Sequence, residues 1–202
     1  MLKLIDILNH NDCQSNADLE IINNFLITNI STKRYEHSLK TVEFAIQLAS
    51  QNKFENKGIN KLILAALSHD ITKEKPPEFH VEIFIKYKCQ NLLNLPKAIY
   101  HSKSAPFFIG ELFNIKDDDI SHAISHHSTG CAEMPLFSRI IFSADFLASQ
   151  NSASSMKLLK LNLQDLCLEK ASTTIKYLLS EKLPVQPESI NFYNILLSEK
   201  KI

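Results

Sequence analysis

The sequence predicts an all-α protein. Apolar residues recur at helical spacing along most of the chain, while period-2 alternation bounded by turn residues is absent. Prolines at Pro76–Pro77, Pro96, Pro135, Pro184 and Pro187 fall where the periodic stretches break, as helix stop and start signals do. The spacing predicts helices over 19–30, 35–51, 58–72, 78–93, 103–114, 118–127, 135–148, 156–160, 163–180 and 187–198. On 35–51, His37 lies beside Phe44 and Leu48. On 58–72, Ile59, Leu62, Ile63 and Ala66 recur at i, i+3, i+4 and i+7. On 103–114, Ala105, Phe108, Ile109 and Leu112 share a face that extends back to His101. Asp117 to Asp119 precede Ile120 and read as an N-cap with first-turn acids, not as a calcium site. On 135–148, Ser138, Ile141 and Phe142 lead to Asp145. The segment SQNSASS at 149–155 reads as a polar loop and NHNDCQSN at 9–16 as a leader linker. These readings give one domain over 19–202 with a loose N-terminal extension at 1–18.

Composition removes several functions. The chain has 202 residues, 45% hydrophobic and 22% charged, enough for one substantial core. Its 22 Lys and Arg balance 22 Asp and Glu, which argues against a general nucleic-acid binder. The separated Cys13, Cys89, Cys131 and Cys167 read as reduced thiols of a cytoplasmic protein. The opening MLKLIDILNHND carries Asp6 and is too short for a signal peptide. No apolar run approaches the roughly 20 residues of a membrane helix. With only Gly58, Gly110 and Gly130, no G-x-G-x-x-G or Walker loop can be written, and G-x-S-x-G is absent too. Phosphate chemistry in this chain would have to use metal, Arg or Lys.

Continuing the apolar faces brings six polar residues inward: His37, His69, Asp70, His101, His127 and Asp145. Singly, each has a plainer explanation as a hydrogen-bonded core group. Together, four imidazoles and two carboxylates in one small core would need many separate partners. A divalent metal serves them all. Imidazole nitrogen with carboxylate oxygen suits Fe, Mn, Zn or Ni better than Mg or Ca. The set is too large for one closed zinc site but suits two ions sharing a carboxylate. His122 and His126 form an i, i+4 pair with no carboxylate placed to complete a site. His10 and His80 read as surface residues.

The order H…HD…H…H…D on an all-α chain resembles the HD-domain metal-dependent phosphohydrolases. RYEHSLKTVEFAIQLA (34–49), AALSHDITKE (65–74), YHSKSA (100–105), AISHHSTG (123–130), LFSRIIFSADF (136–146) and TIKYLLSEKLPVQPESINFYN (174–194) narrow the likeness. They resemble the YqeK-type symmetrical diadenosine tetraphosphate hydrolases. The resemblance implies a compact helical HD fold with the metal site in its helix core. It implies a metal at His37, His69, Asp70 and Asp145, and a second at Asp70, His101 and His127. Iron is the first expectation, with Mn, Ni or Zn as alternatives. Asp70 and Lys73 would be catalytic, with Arg34, Lys73, Thr129 and Gly130 on the substrate.

The implied activity is hydrolysis of diadenosine tetraphosphate to two ADP. Another HD nucleotide phosphohydrolase, acting on nucleoside monophosphates, dNTPs or alarmones, and a non-catalytic metal- or nucleotide-binding domain stay as alternatives. The implied partner is a dinucleoside polyphosphate, with neither nucleic acid nor membrane; homodimerisation stays open. Three positions depart from the family pattern. ADFLASQN at 144–151 replaces a Glu-Pro segment with a following basic residue, Ser102 stands for a glycine, and His126 stands for the common Tyr. The helical angle of His126 turns it outward, and it is expected to be exposed.

Overall fold

The computed structural model describes residues 3–11, 13 and 16–200. Among these, every regular element is helical: α1 (Leu4–His10), α2 (Ala17–Asn29), α3 (Thr32–Gln51), α4 (Ile59–Ser68), α5 (Pro77–Lys86), α6 (Tyr100–Phe113), α7 (Asp118–His126), α8 (Leu136–Ser149), α9 (Ser152–Leu158), α10 (Leu163–Ser180) and α11 (Pro187–Glu199). Short 3-10 turns lie at Asn56–Gly58, Gln90–Asn94 and Lys97–Ile99.

The centre is α3 packed against α4 and α8, with α7 closing on α4 and α8. Ser31 starts α3 by accepting from the Arg34 N–H. Leu39, Val42 and Leu48 of α3 meet Leu62, Ile63 and Leu67 of α4 and Ile140 and Ile141 of α8 in one core. All of Leu62 to Ser68 is buried, so the last two turns of α4 are enclosed on every side, as the apolar run there implies. A smaller cluster of Ile83, Phe84 and Tyr100 joins α5 to α6. The paired α10 and α11 cover the other side of α8.

Several expected boundaries move for local reasons. The helix expected to reach 72 ends at Ser68, because Ile71, Lys73 and Lys75 bond carbonyls three residues back. The helix expected over 78–93 stops at Lys86: Lys88 takes φ 57° and the Cys89 N–H returns to Phe84 O. The same six-to-one bond with a left-handed lysine ends α3 at Lys53 and α10 at Lys182. The polar loop expected at 149–155 contains the start of α9, where Asn151 accepts from the Ser154 N–H.

Within the segment expected to be loose at 1–18, α1 is packed on one face. Leu4, Ile7 and Leu8 of α1 are buried in the main core. The linker expected at 9–16 lies partly outside the described residues. His80 is 4% exposed and therefore not a surface residue. It sits under α6, with Nδ1 2.7 Å from Ser104 Oγ. Leu112, expected to face inward, is half exposed. Asp117 caps α7 as expected, accepting from the Asp119 and Ile120 N–H groups.

Candidate metal centre

Five helices deliver the six inward residues to one point. His37 comes from α3, His69 and Asp70 from the turn after α4, and His101 from the first turn of α6. His127 follows α7, and Asp145 lies on α8. The local sequence aims three of the rings. His69 Nδ1 lies 2.8 Å from Ala66 O, His101 Nδ1 3.0 Å from Ala98 O and His127 Nδ1 2.7 Å from Ile124 O. Each ring N–H donates to a carbonyl three residues back, which a helix end or tight turn leaves without a helical partner. Each Nε2 is thereby turned into the core.

The Nε2 atoms and carboxylate oxygens form two groups. In the first, His37 Nε2 is 3.0 Å from Asp145 Oδ1 and 3.3 Å from His69 Nε2. His69 Nε2 is 3.5 Å from both Asp70 Oδ2 and Asp145 Oδ1. In the second, Asp70 Oδ1 lies 3.2 Å from His101 Nε2 and 3.5 Å from His127 Nε2, and the two Nε2 atoms are 3.2 Å apart. Asp70 thus presents one oxygen to each group. Its Oδ1 is buried and hydrogen-bonded to nothing among the described residues. A buried carboxylate oxygen left without a hydrogen-bond partner among imidazole nitrogens is unfavourable unless a proton or a cation beside it compensates. His37, His69 and Asp70, and again Asp70, His101 and His127, are groups that could hold a metal ion. Nitrogen and oxygen donors of this kind suit divalent metals.

The charges are strongly coupled. Burial alone would lower the His69 pKa, but the Asp70 and Asp145 carboxylates outweigh it and raise the ring to about 10. Burial alone would raise Asp70; the charge of His69 and its contacts with His101 and His127 hold it well below the usual carboxylate range. Burial pushes His127 down to about 4 and lowers His101. Two further cations touch the set. Arg34 Nη1 is 2.5 Å from Asp70 Oδ2, and Lys73 Nζ is 3.1 Å from His101 Nε2.

Lys170 was missed in the sequence. Its buried ammonium donates to Asp145 Oδ2 at 2.7 Å, Phe142 O at 2.7 Å and His127 O at 2.8 Å. It fixes the Asp145 carboxylate and ties α8 to the end of α7. The signal was present: Leu163, Leu166, Cys167, Lys170 and Ala171 share the buried face of α10.

Thr129 and Gly130 are not on the cleft wall that opens over the donors. Thr129 Oγ1 bonds Glu188 Oε2 at 3.1 Å, facing α11. Gly130 takes φ +68°, and a Cβ there would stand 2.2 Å from a Phe192 ring carbon, so both the turn and the contact require glycine. Ser128 takes their place on the wall, with Oγ 3.2 Å from His127 Nε2.

A family model described as HD domain matches residues 34–149. The chain belongs to the HD domain family. This HD chain is 29% identical over 177 residues to the symmetrical bis(5'-nucleosyl)-tetraphosphatase of Halalkalibacterium halodurans, covering 85% of this chain and 93% of that protein. The Bacillus subtilis protein of the same name is 26% identical over 174 residues, covering 84% and 92%. A crystal structure from Clostridium acetobutylicum is described as a predicted HD superfamily hydrolase involved in NAD metabolism. It matches with a TM-score of 0.78 at 25% identity, covering 89% of this chain and 97% of that one. No helix among the described residues is long and apolar enough to cross a membrane.

The Lys170 contact carries a pH-dependent prediction. Burial alone would raise the Asp145 carboxyl; the Lys170 charge, then His37 and His69, hold it well below 3.8. The stability this supplies is present above the unfolded value near 3.8 and lost as pH falls through the folded one. Lys170→Met is expected to destabilise the chain by about 1–3 kcal/mol at neutral pH, by leaving the carboxylate and two carbonyls without their donor. Its acid unfolding should also begin at higher pH. Urea titrations between pH 3 and 7, by circular dichroism, measure both effects; superimposable curves for variant and parent would refute the contact.

Proposed function

We propose that this chain hydrolyses diadenosine tetraphosphate at its centre, giving two ADP, with two divalent metals and iron first among them. His37, His69, Asp70 and Asp145 would hold one ion, and Asp70, His101 and His127 the other. The observation that carries the reading is Asp70, with one oxygen in each donor group and Oδ1 buried with no hydrogen-bond partner among the described residues. The named activity of the two bacterial relatives supports the substrate.

The cleft over the donors supports it too. It measures about 470 Å³ and carries Lys33, Arg34, Lys40 and Lys73 on its wall, with Glu36 the one acid outside the donor set. Such a wall attracts a polyphosphate. Bound divalent ions supply Lewis-acid charge at phosphoryl oxygens and lower the pKa of an attacking water. The chain's own residues do the rest. Arg34 and Lys73 touch the donor set and line the cleft, so with those atoms engaged by divalent ions their N–H groups would be left for substrate phosphate. Arg34 can bind two phosphate oxygens at once, whereas Lys73 acts as a point charge on the departing diphosphate. The cations at Lys33 and Lys40 place positive charge on the wall of a chain whose segment after Asp145, ADFLASQN, has no basic residue. Catalysis then rests on positioning and charge.

The deciding experiment is chromatography of the first products formed from diadenosine tetraphosphate by anaerobically iron-loaded protein. ADP alone is the expected product. AMP with ATP would mean a different pose, and phosphate release from nucleoside monophosphates without cleavage of the dinucleotide would point to a different HD nucleotidase.

Lys73 separates from the donors in a second measurement. Lys73→Ala should keep its metal content and lose roughly ten- to thousandfold in turnover, as when one charge-stabilising donor is removed. Loss of metal, or full activity, would remove Lys73 from this role.

The raised His69 pKa gives a third test. A ring with a pKa of about 10 is protonated at pH 7.5, and binding metal through Nε2 expels that proton. His127, lowered to about 4, has none to lose. Manganese titration of metal-depleted protein, by calorimetry in buffers of different ionisation enthalpy, should show about one proton released per chain. No release would mean that His69 is neutral beforehand or is not a donor.

A further inference from the structure

A second cluster of metal-binding side chains lies on the far side of α7 from the Asp70 groups. His122 and His126 are one turn apart on α7, with ring centroids 4.8 Å apart. The Gly130 turn folds the chain back, with its N–H on His126 O at 2.8 Å, and sets Cys131 against the same pair. The sequence pattern H-x-x-x-H had looked incomplete for want of a carboxylate. A thiol fills the place, and a carboxylate from α11 stands beside it.

We propose that His122, His126 and Cys131 form a further metal site of the zinc class. One donor atom from each of the first three lies within 4.8 Å of the others. His122 Nε2 is 3.5 Å from Cys131 Sγ. Zinc with Zn–S of about 2.3 Å and Zn–N of about 2.0–2.1 Å in a tetrahedron sets that N···S edge at about 3.6 Å. His122 Nδ1 lies 2.8 Å from Ser138 Oγ, so an N–H donated there fixes the ring and leaves Nε2 bare toward the sulfur. This is the outer support that metal-binding imidazoles use. His126, expected to be exposed, is instead half-buried, and its Nδ1 is buried without a hydrogen-bond partner among the described residues, 3.7 Å from Glu188 Oε2.

The charges are compatible with a soft divalent ion. Lys103 Nζ is 3.3 Å from Glu188 Oε2 and partly neutralises it, so the Cys131 thiolate is the principal anionic donor. Cys131 forms no disulfide, and its thiol proton passes to solvent when metal binds. Thiolate with imidazole favours zinc, or cobalt as its spectroscopic substitute, over magnesium and calcium. The neighbouring His127 faces Asp70 and His101, so the two centres share no donor. The site pins the chain from Gly130 to Cys131 onto α7, directly after the residue that closes the Asp70 group.

Cobalt titration of the metal-depleted full chain tests this without reference to hydrolysis. The Asp70 centre has no sulfur donor, and the other thiols, Cys13, Cys89 and Cys167, are outside the cluster, so a thiolate-to-cobalt charge-transfer band lost in Cys131→Ser reports on Cys131. The band is expected in the parent chain and in Asp70→Asn, saturating once cobalt exceeds the two equivalents that the Asp70 groups would take. It is expected to be lost in Cys131→Ser and weakened in His122→Gln. Alkylation of Cys131, followed by mass spectrometry, should slow when zinc is added to the parent and not when it is added to His122→Gln. A parent chain without the band, a band that persists in Cys131→Ser, or alkylation indifferent to zinc would each overturn the site. None of these results depends on whether diadenosine tetraphosphate is cleaved.

Discussion

Asp70 is a carboxylate 3% exposed, with imidazole nitrogens of three histidines within 3.5 Å of its oxygens. A helical core can accept such a group only with positive charge close by, and much of the architecture follows from that requirement. Helix α4 must stop at Ser68 so that the tight turns after it can swing His69 and Asp70 into the interior. The same demand brings Arg34 in from α3, while the neighbouring Asp145 is met by Lys170 from α10. Each pair links two different segments of the core.

Helical periodicity made the centre legible. Each of the six donors continues an apolar face, and the structure brings all six together. The same reasoning failed where packing partners decide burial. His80 lies at i with Ile83 and Phe84 at i+3 and i+4, a visible inward face, yet only α6 lying over it makes that face interior. Leu4, Ile7 and Leu8 show the same spacing in α1, but a seven-residue helix has too little pattern to distinguish it from a linker. The serine-rich start of α9 conceals a helix whose cap, Asn151, is a single side chain. Lys170 could have been read from its place among apolar residues, against the habit of assigning lysine to the surface.

Thr129 and Cys131 lay beyond any periodic argument. Both sit around a left-handed turn at Gly130, and a turn of that kind redirects side chains in ways the residues before it do not disclose. Thr129 turns to Glu188 instead of the cleft, and Cys131 turns to His122. Ten residues from His122 to Cys131 therefore serve both the Asp70 groups and the thiol cluster. The backbone between them is short and braced on Phe192, so little slack separates the two.

The anchoring of the three ring N–H groups on backbone carbonyls has a consequence for how the protein lives with its ions. A donor set aimed by its own local fold does not have to be assembled by whatever enters it. Divalent ions held there could leave and be replaced without the rings having to be re-aimed, and rings of this kind offer little means of rejecting one first-row metal in favour of another. Intrinsic affinity for such donors rises along the series from manganese to copper. The identity of an ion at such a site would then be governed by supply: the concentration of each free metal around the protein, and the oxidation state in which it arrives.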